Sequence, residues 1–359
     1  MQIKPSTKRI INFLVPVFSV LASMLVGCVL ILINNKNPLV VYFNLLKAAF
    51  GFSGFNMHSA LLTTLQFSTP LLLSGLSAMV AFRAKFISLG QFGQMIFGAA
   101  ISAWLGSRLS LPPIIHPIIA LTGGALFGGL WGLVPAFLKT YFNANEVLVT
   151  LILNPIAVIL VGLIRSSAVA ESAQLTPLVQ GTRFTTGFII ALVAALLTYI
   201  YLWRSSRGFE HRMAGEAPDF STYGGIPAHL PILRGMLISG ALAGLAGAVE
   251  VLGVHHHFVS SFSAVSEFDG IIVALMGMVN PIGVVLAAIF LGGLRAGALV
   301  GLQIESGVPR ELGGLLIAMT VLILANERLF RELIKTIMGW LTRLSHLFSR
   351  SPDGKYLVK

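Results

Sequence analysis

The sequence predicts an all-α polytopic membrane protein of about ten transmembrane helices. Three observations carry this. Only 10% of the 359 residues are charged, where a soluble domain carries about 25%. Mean hydropathy is +0.88, and apolar runs of about 20 residues, the length that crosses a bilayer, recur along the chain. Between those runs the connections hold most of the basic residues. The net charge of +11 is therefore a matter of membrane orientation and no sign of nucleic-acid binding. The single cysteine, Cys28, excludes an internal disulfide.

The elements come in order. Lys4, Lys8 and Arg9 precede an apolar run from Ile10 to Ile33, too long for a signal-peptide core and so expected to remain as a first span. Leu25 to Cys28 resembles a lipoprotein cleavage box, but the apolar run continues past Cys28. A polar loop is expected from Asn34 to Met57. The second run, His58 to Phe82, holds Pro70, which should kink or break it. Arg83 and Lys85 mark its end. The third, Ser88 to Gly106, starts with the polar, glycine-rich SLGQFGQ. Irregular backbone at membrane depth is tolerated where protein buries it or a wet cavity meets it. The fourth, Pro112 to Leu138, carries Gly124, Gly128 and Gly132 at four-residue spacing, a stripe that admits a close neighbour. The fifth starts at Asn145-Glu146, ends near Ile164 and contains Asn154-Pro155. The sixth is Phe184 to Trp203.

The seventh run, Leu230 to Val254, is packed with small residues: Gly240 and Gly244 form one step, and Ala243 with Gly247 a second. A loop is expected from His255 to Ser266. Phe268 to Val279 is apolar but short, about 18 Å as a helix against a hydrocarbon core of about 30 Å. It reads as a short or half-buried helix stopped by Asn280-Pro281. The ninth, Ile282 to Leu302, has Gly293, Gly297 and Gly301 on one face. The tenth runs from Leu312 to Ala325. Beyond it, apolar residues from Phe330 to Phe348 recur at helical spacing with Arg331, Lys335 and Arg343 between them, the pattern of a basic amphipathic helix on a membrane surface. The chain thus divides into a transmembrane region, 1–327, and a basic amphipathic cytoplasmic tail, 328–359.

With the N-terminus inside and ten segments, 17 of the 24 lysines and arginines fall inside and six outside, with Arg295 within the membrane. The positive-inside rule favours that orientation, with both termini cytoplasmic. It also places the loop at 204–230 in the cytoplasm.

That loop is the longest strongly polar run between the first apolar segment and the tail. Pro218 suits the first turn of a helix, and Gly224-Gly225 suit the end of one, where a left-handed residue closes the last turn. The expectation is a short helix, Pro218 to Tyr223, held at the membrane surface. A charge run is often only a solvated connection, so a docking role needs further support.

No GxxxxGK[ST] phosphate loop, HExxH or GxSxG occurs. His255-His256-His257 could bind metal, but no other histidine or cysteine lies close by in sequence, and no metal is expected. Glu250 and Arg295, within apolar runs, are functional candidates by default, unless they pair with each other, or face water, for structural reasons.

Four stretches, NEVLVTLILN (Asn145–Asn154), MAGEAPDFSTYGGIP (Met213–Pro227), SGALAGLAGAVEVLGV (Ser239–Val254) and FDGIIVALMGMVNPIGVVLAAIFLGGLRAGA (Phe268–Ala298), together resemble one family. It is the permease subunits of bacterial ABC importers for simple sugars and nucleosides, related to the ribose and branched-chain amino-acid permeases. The resemblance runs from about Leu61 to Glu327 and implies a ten-helix subunit of the inner membrane that is no enzyme itself. It implies pairing with a second permease as a heterodimer, with a cytoplasmic ABC ATPase and with an extracytoplasmic solute-binding protein. ATP-Mg would belong to the ATPase, and this chain would hold no cofactor.

In that family the central loop is the segment that docks on the ATPase. Carried onto this sequence, the docking motif includes Gly215, Glu216, Pro218 and Gly224; Phe220 and Tyr223, by their own spacing of three, can both face the partner. Gly225 and Ile226 complete the motif, and Glu216 with Arg207 or Arg212 is expected to fix the helix to the ATPase. Polar candidates for the translocation path are Gln91, Gln94, Asn154, Glu250, Asp269 and Arg295. Gly240, Gly244 and Gly247 are the helix-packing candidates. Two departures bear on the solute: FISLGQFGQ (Phe86–Gln94) stands where nucleoside-type members tend to carry FNIGAEGQ, and Met278 stands where they carry a basic residue. The rival reading is an ion-coupled secondary transporter, for which Glu250 is the one titrating candidate.

Overall fold

In the computed structural model, residues 24–51 (except 26, 30 and 34), 57–164, 168–226, 229–259, 268–305 and 314–315 are described. Two units divide the chain. Ile31–Gly314 is one, and Met1–Leu30 with Leu315–Lys359 the other. The tail at 328–359, most of the first apolar run and nearly all of the tenth lie outside the described residues. The helices of Ile31–Gly314 form the bundle that positions the site.

Helix α1 spans Pro38–Phe50, where a polar loop was expected. The reason is local. Asn37 caps its start by accepting the Leu39 N–H, Pro38 takes the first helical position, and Gly51 ends it with φ 75°. These are strong start and stop signals hidden in a segment of modest length. Helix α2, Met57–Arg83, runs through Pro70 without a break. It ends at Lys85 with φ 53°, where Phe86 N–H bonds the Ala81 carbonyl and Lys85 N–H that of Phe82, a Schellman closure.

Helices α3 (Gln91–Arg108), α4 (Ile115–Phe142) and α5 (Glu146–Gly162) match the sequence closely. The Asn145 side chain accepts from the Val147 and Leu148 N–H groups, which explains why α5 starts there. Helix α6 is Gly187–Arg204. The central polar run then forms two helices, α7 (Ser206–Glu216) and α8 (Pro218–Tyr223). Helix α9, His229–Glu250, continues into a wider π-helical turn, Val251–His255. Helix α10 is Asp269–Met276, and α11, Pro281–Gly297, also ends in a π-helical stretch, Ala298–Glu305.

Five of the described helices are long and apolar enough to cross a membrane: α2, α4, α6, α9 and α11 with their extensions. The all-α, multi-pass class is as the sequence predicted. Helix α10, with eight residues, reaches about 12 Å and cannot span.

Small residues position the core. Lipid is as apolar as leucine, so helices associate where backbones can approach closely. A Cβ built on Gly128 of α4 would lie 2.5 Å from Gly244 Cα of α9, and one on Gly132 would lie 2.7 Å from the Met236 carbonyl oxygen. Gly247 meets α3 in the same way, where a Cβ would run into the Met95 carbonyl oxygen. Helices α3, α4 and α9 thus touch backbone to backbone. On the other flank Gly297 and Gly301 of the α11 segment lie against the Leu45 and Asn44 carbonyls of α1. A polar pin joins α2 to α9: Ser239 Oγ donates to the Ser77 carbonyl at 2.9 Å.

Candidate functional site

One end of the bundle is organised around Arg83, the last residue of α2. Its guanidinium donates from Nε and an Nη to the Val279 carbonyl oxygen, at 3.0 and 2.7 Å. It lies 3.7 Å from the Glu216 carboxylate and 5.1 Å from the centre of the Trp203 ring. One side chain therefore ties together the ends of α2, α6, α7 and the turn after α10. That turn is strained. Met278 and Val279 both have φ 53°, and a β-branched residue there is a genuine outlier.

Helix α7 folds back against α6 at its start and the end of α2 at its finish because two glycines permit it. A Cβ on Gly208 would run into the Tyr201 carbonyl oxygen, and one on Gly215 into that of Arg83. Between them His211 is fully buried. Its Nε2 lies 2.9 Å from the Val80 carbonyl oxygen and its Nδ1 3.3 Å from that of Pro231. Burial lowers its pKa below the ordinary histidine value, although both carbonyls favour the charged ring. Arg234 and Glu210 pair at 3.1 Å beside it.

Helix α8 is the short helix that the sequence predicted, at the predicted residues. Pro218 fills its first position. Gly225, with φ 79°, closes it: Ile226 N–H bonds the Ser221 carbonyl, and Gly225 N–H that of Thr222. This is a Schellman cap, and Gly224 precedes the left-handed residue rather than being it. Phe220 is 68% and Tyr223 93% exposed. Two large rings on a six-residue helix are thus offered outward.

Within this chain Glu216 makes no ion pair with Arg207 or Arg212. Glu216 faces Arg83 instead, because close packing at Gly215 brings the end of α7 onto the end of α2. Arg212 turns back to donate to the Leu202 carbonyl and lies 5.7 Å from the Trp203 ring centre. Arg207 is exposed.

The path candidates separate into three groups. Gln91, Gln94 and Asn154 gather where α3 starts against α5, and all three are buried. Asn154 braces backbone: Oδ1 accepts from the Gly93 N–H at 2.9 Å and Nδ2 donates to the Leu89 carbonyl at 2.9 Å. Both amide atoms of Gln91, and Oε1 of Gln94, have no hydrogen-bond partner among the described residues. Asp269, which is buried, forms an ion pair with the partly exposed Arg295 at the start of α10. Glu250 does not pair with Arg295; it lies 3.4 Å from His255 Nε2, five residues on across the π-helical turn. Among the described residues no group of three or more metal-ligating side chains converges.

Sequence reasoning treats Arg83 only as a boundary marker and passes over His211, Ser77 and Ser239. Their roles depend on contacts with residues 131 to 196 positions away, which no local pattern reports.

The chain is 36% identical over 356 residues to the guanosine ABC transporter permease protein NupP of Bacillus subtilis, covering 94% of this chain and 98% of that one. It is 29% identical over 338 residues to the nucleoside ABC transporter permease protein NupB of Lactococcus lactis, covering 87% and 90%. It is 26% identical over 344 residues to the glucose ABC transporter permease protein TsgB13 of Haloferax volcanii, covering 88% of each. No solved structure matches the chain. The family described as branched-chain amino acid transport system / permease component matches residues 60–325. With that match covering most of its length, from the first turn of α2 through α11, the chain belongs to this permease family.

Proposed function

We propose that this chain is one permease subunit of an ABC importer that carries a nucleoside or simple sugar across a bacterial inner membrane. The observation that carries this is identity at 36% along nearly the whole length of a guanosine ABC permease, with nucleoside and glucose permeases behind it. ATP hydrolysis belongs to a separate cytoplasmic ATPase that holds ATP-Mg, and a solute-binding protein delivers the solute from outside.

The second permease is a different chain. Bacillus subtilis has two relatives described as guanosine permeases, NupP and NupQ, and Lactococcus lactis has two described as nucleoside permeases, NupB and NupC. The subunit has ten membrane segments with both termini inside. That orientation is supported by the clustering of Arg83, Arg204, Arg212 and Arg234 at the α7–α8 end. Helix α8 is the surface that meets the ATPase. Its rings, its cap and its exposure fit a rigid element seated in a groove. The residues that border the solute path include Gln91 and Gln94, whose amides need polar partners.

The experiment is reconstitution. The purified chain alone should neither hydrolyse ATP nor accumulate guanosine. The complex isolated with it from native membranes should do both. Proton- or sodium-driven uptake by the chain alone, abolished by Glu250→Gln, would overturn the reading.

A further inference from the structure

At the end of the bundle away from Arg83, a cavity of about 320 Å³ lies between the first turns of α2, the 181–184 turn before α6, and Leu299. That volume is at the small end of the roughly 300–1,000 Å³ range of ligand sites. It suits one small molecule. Its walls have a definite chemistry. Phe67 and Phe184 are buried and supply aromatic surface. The Gln66 amide lines the cavity and has no hydrogen bond to another described residue. Arg183 also lines it, and no carboxylate lies within ion-pair distance of its guanidinium among the described residues. The Thr63 hydroxyl donates to the Ser59 carbonyl at 2.9 Å, and that of Thr182 to the Val179 carbonyl at 2.7 Å. Both hydroxyls therefore keep acceptor lone pairs for a ligand.

The cavity thus offers two aromatic walls, an amide, a guanidinium, the Ser59 hydroxyl and the two accepting threonine hydroxyls, with no acidic side chain in its lining. A cation gains nothing there. A simple sugar would use the threonines but offers no flat, base-like edge to the aromatic walls and the amide–guanidinium pair. A purine nucleoside matches every group. The base has a face for the aromatic walls. Arginine and glutamine are the side chains that pair with the N7 edge of guanine and adenine, and ribose hydroxyls can donate to the threonines.

We propose that this cavity is an outer subsite for a purine nucleoside, with Gln66 and Arg183 reading the base edge. The proposal rests on the permease reading and adds a place and a ligand class to it. Its test is photolabelling of the complete importer in membrane vesicles with 8-azidoguanosine, then peptide mapping, alongside uptake of labelled guanosine and glucose. Label is expected on peptides containing 59–67 or 181–184, competed by guanosine and adenosine but not by glucose. Gln66→Leu and Arg183→Leu should each reduce that labelling about tenfold, at an unchanged thermal midpoint. Guanosine uptake with wild-type label confined to other peptides would overturn the subsite and leave the permease reading standing. Competition by glucose and not by nucleosides would overturn the ligand class. Uptake of neither solute by the wild-type importer would overturn both.

Discussion

The Arg83 guanidinium holds the Val279 carbonyl oxygen with two hydrogen bonds, at 3.0 and 2.7 Å, across 196 positions of sequence. Val279 is in the left-handed region, which costs a β-branched residue of order 1–3 kcal/mol. A charge-assisted fork offsets that strain and fixes the end of α10. Removing it should release the turn. Arg83→Gln is expected to destabilise the protein by about 1.5–3 kcal/mol, the worth of hydrogen bonds to a charged group. Glu216→Gln touches only the exposed partner and should cost under about 1 kcal/mol. Thermal unfolding of the two variants in detergent distinguishes them. Equal shifts would mean that the ion pair, and not the carbonyl fork, carries the contact.

Gly244 lies in the tightest part of the bundle. A Cβ there would run into the Gly124 carbonyl oxygen and stand 2.9 Å from Gly128 Cα. Neither is a flexible side-chain end, so α4 and α9 must part. Gly244→Leu should therefore abolish accumulation of folded protein, and Gly244→Ala should cost about 1–3 kcal/mol. Gly162, where an added Cβ would meet no described residue within 4 Å beyond its own helical turn, is the comparison: Gly162→Ala should be neutral or stabilise by up to about 1 kcal/mol. Fluorescence size-exclusion profiles report all three. A normal profile for Gly244→Leu would show that α4 and α9 do not meet there.

His211 makes stability depend on pH. Its pKa in the folded protein is lowered, chiefly by burial, from about 6.5 in an unfolded chain. Below that value the unfolded state binds the proton more readily, so stability rises with pH through this window. Stability is fully present above about pH 6.5 and is lost as pH falls toward the folded value. Nearby Arg212 acts in the same direction. His211→Gln should flatten that dependence between about pH 5 and pH 7, while lowering stability at pH 8 through imperfect replacement of the carbonyl contacts. Thermal midpoints across that range are the measurement, and an unchanged slope would exclude His211 as its source.

Legibility in the sequence depends on the range of the interaction. Membrane class, the small-residue stripes and α8 are written in composition, four-residue spacing and cap residues, all local signals. Helix α1 escapes a search for spans because its 13 residues fall below spanning length, and Asn37 and Gly51 pass for loop residues when no helix is sought between them. The identity of partners is not legible. Asp269 and Arg295 both stand out as polar residues in apolar surroundings, yet nothing within the sequence pairs them across 26 positions. Glu216 has Arg212 four residues before it on its own helix, within ordinary side-chain reach. Glycine packing at Gly215 gives it Arg83 instead.

On the proposed function, helix α8 joins fold to function, and its test separates them. Six residues seldom hold a helix alone, since nucleation is costly. Here Pro218 presets the first turn and the Schellman closure at Gly225 fixes the last. Ser221 faces inward and is buried, while Phe220 and Tyr223 face outward. The outward rings therefore contribute little to the fold of this chain and are available to a partner, where aromatic anchors commonly dominate binding. Phe220→Ala with Tyr223→Ala should leave insertion and the thermal midpoint of the isolated chain within about 0.5 kcal/mol of wild type, as surface substitutions do. In the reconstituted complex the same pair should lose solute uptake. The ATPase should either dissociate or no longer respond to the loaded binding protein. Loss of about 2 kcal/mol or more per anchor corresponds to a roughly thirtyfold or greater weakening of ATPase binding. Wild-type uptake and ATPase activity in one preparation of the double variant would show that α8 is a solvated connection and that force reaches the bundle elsewhere.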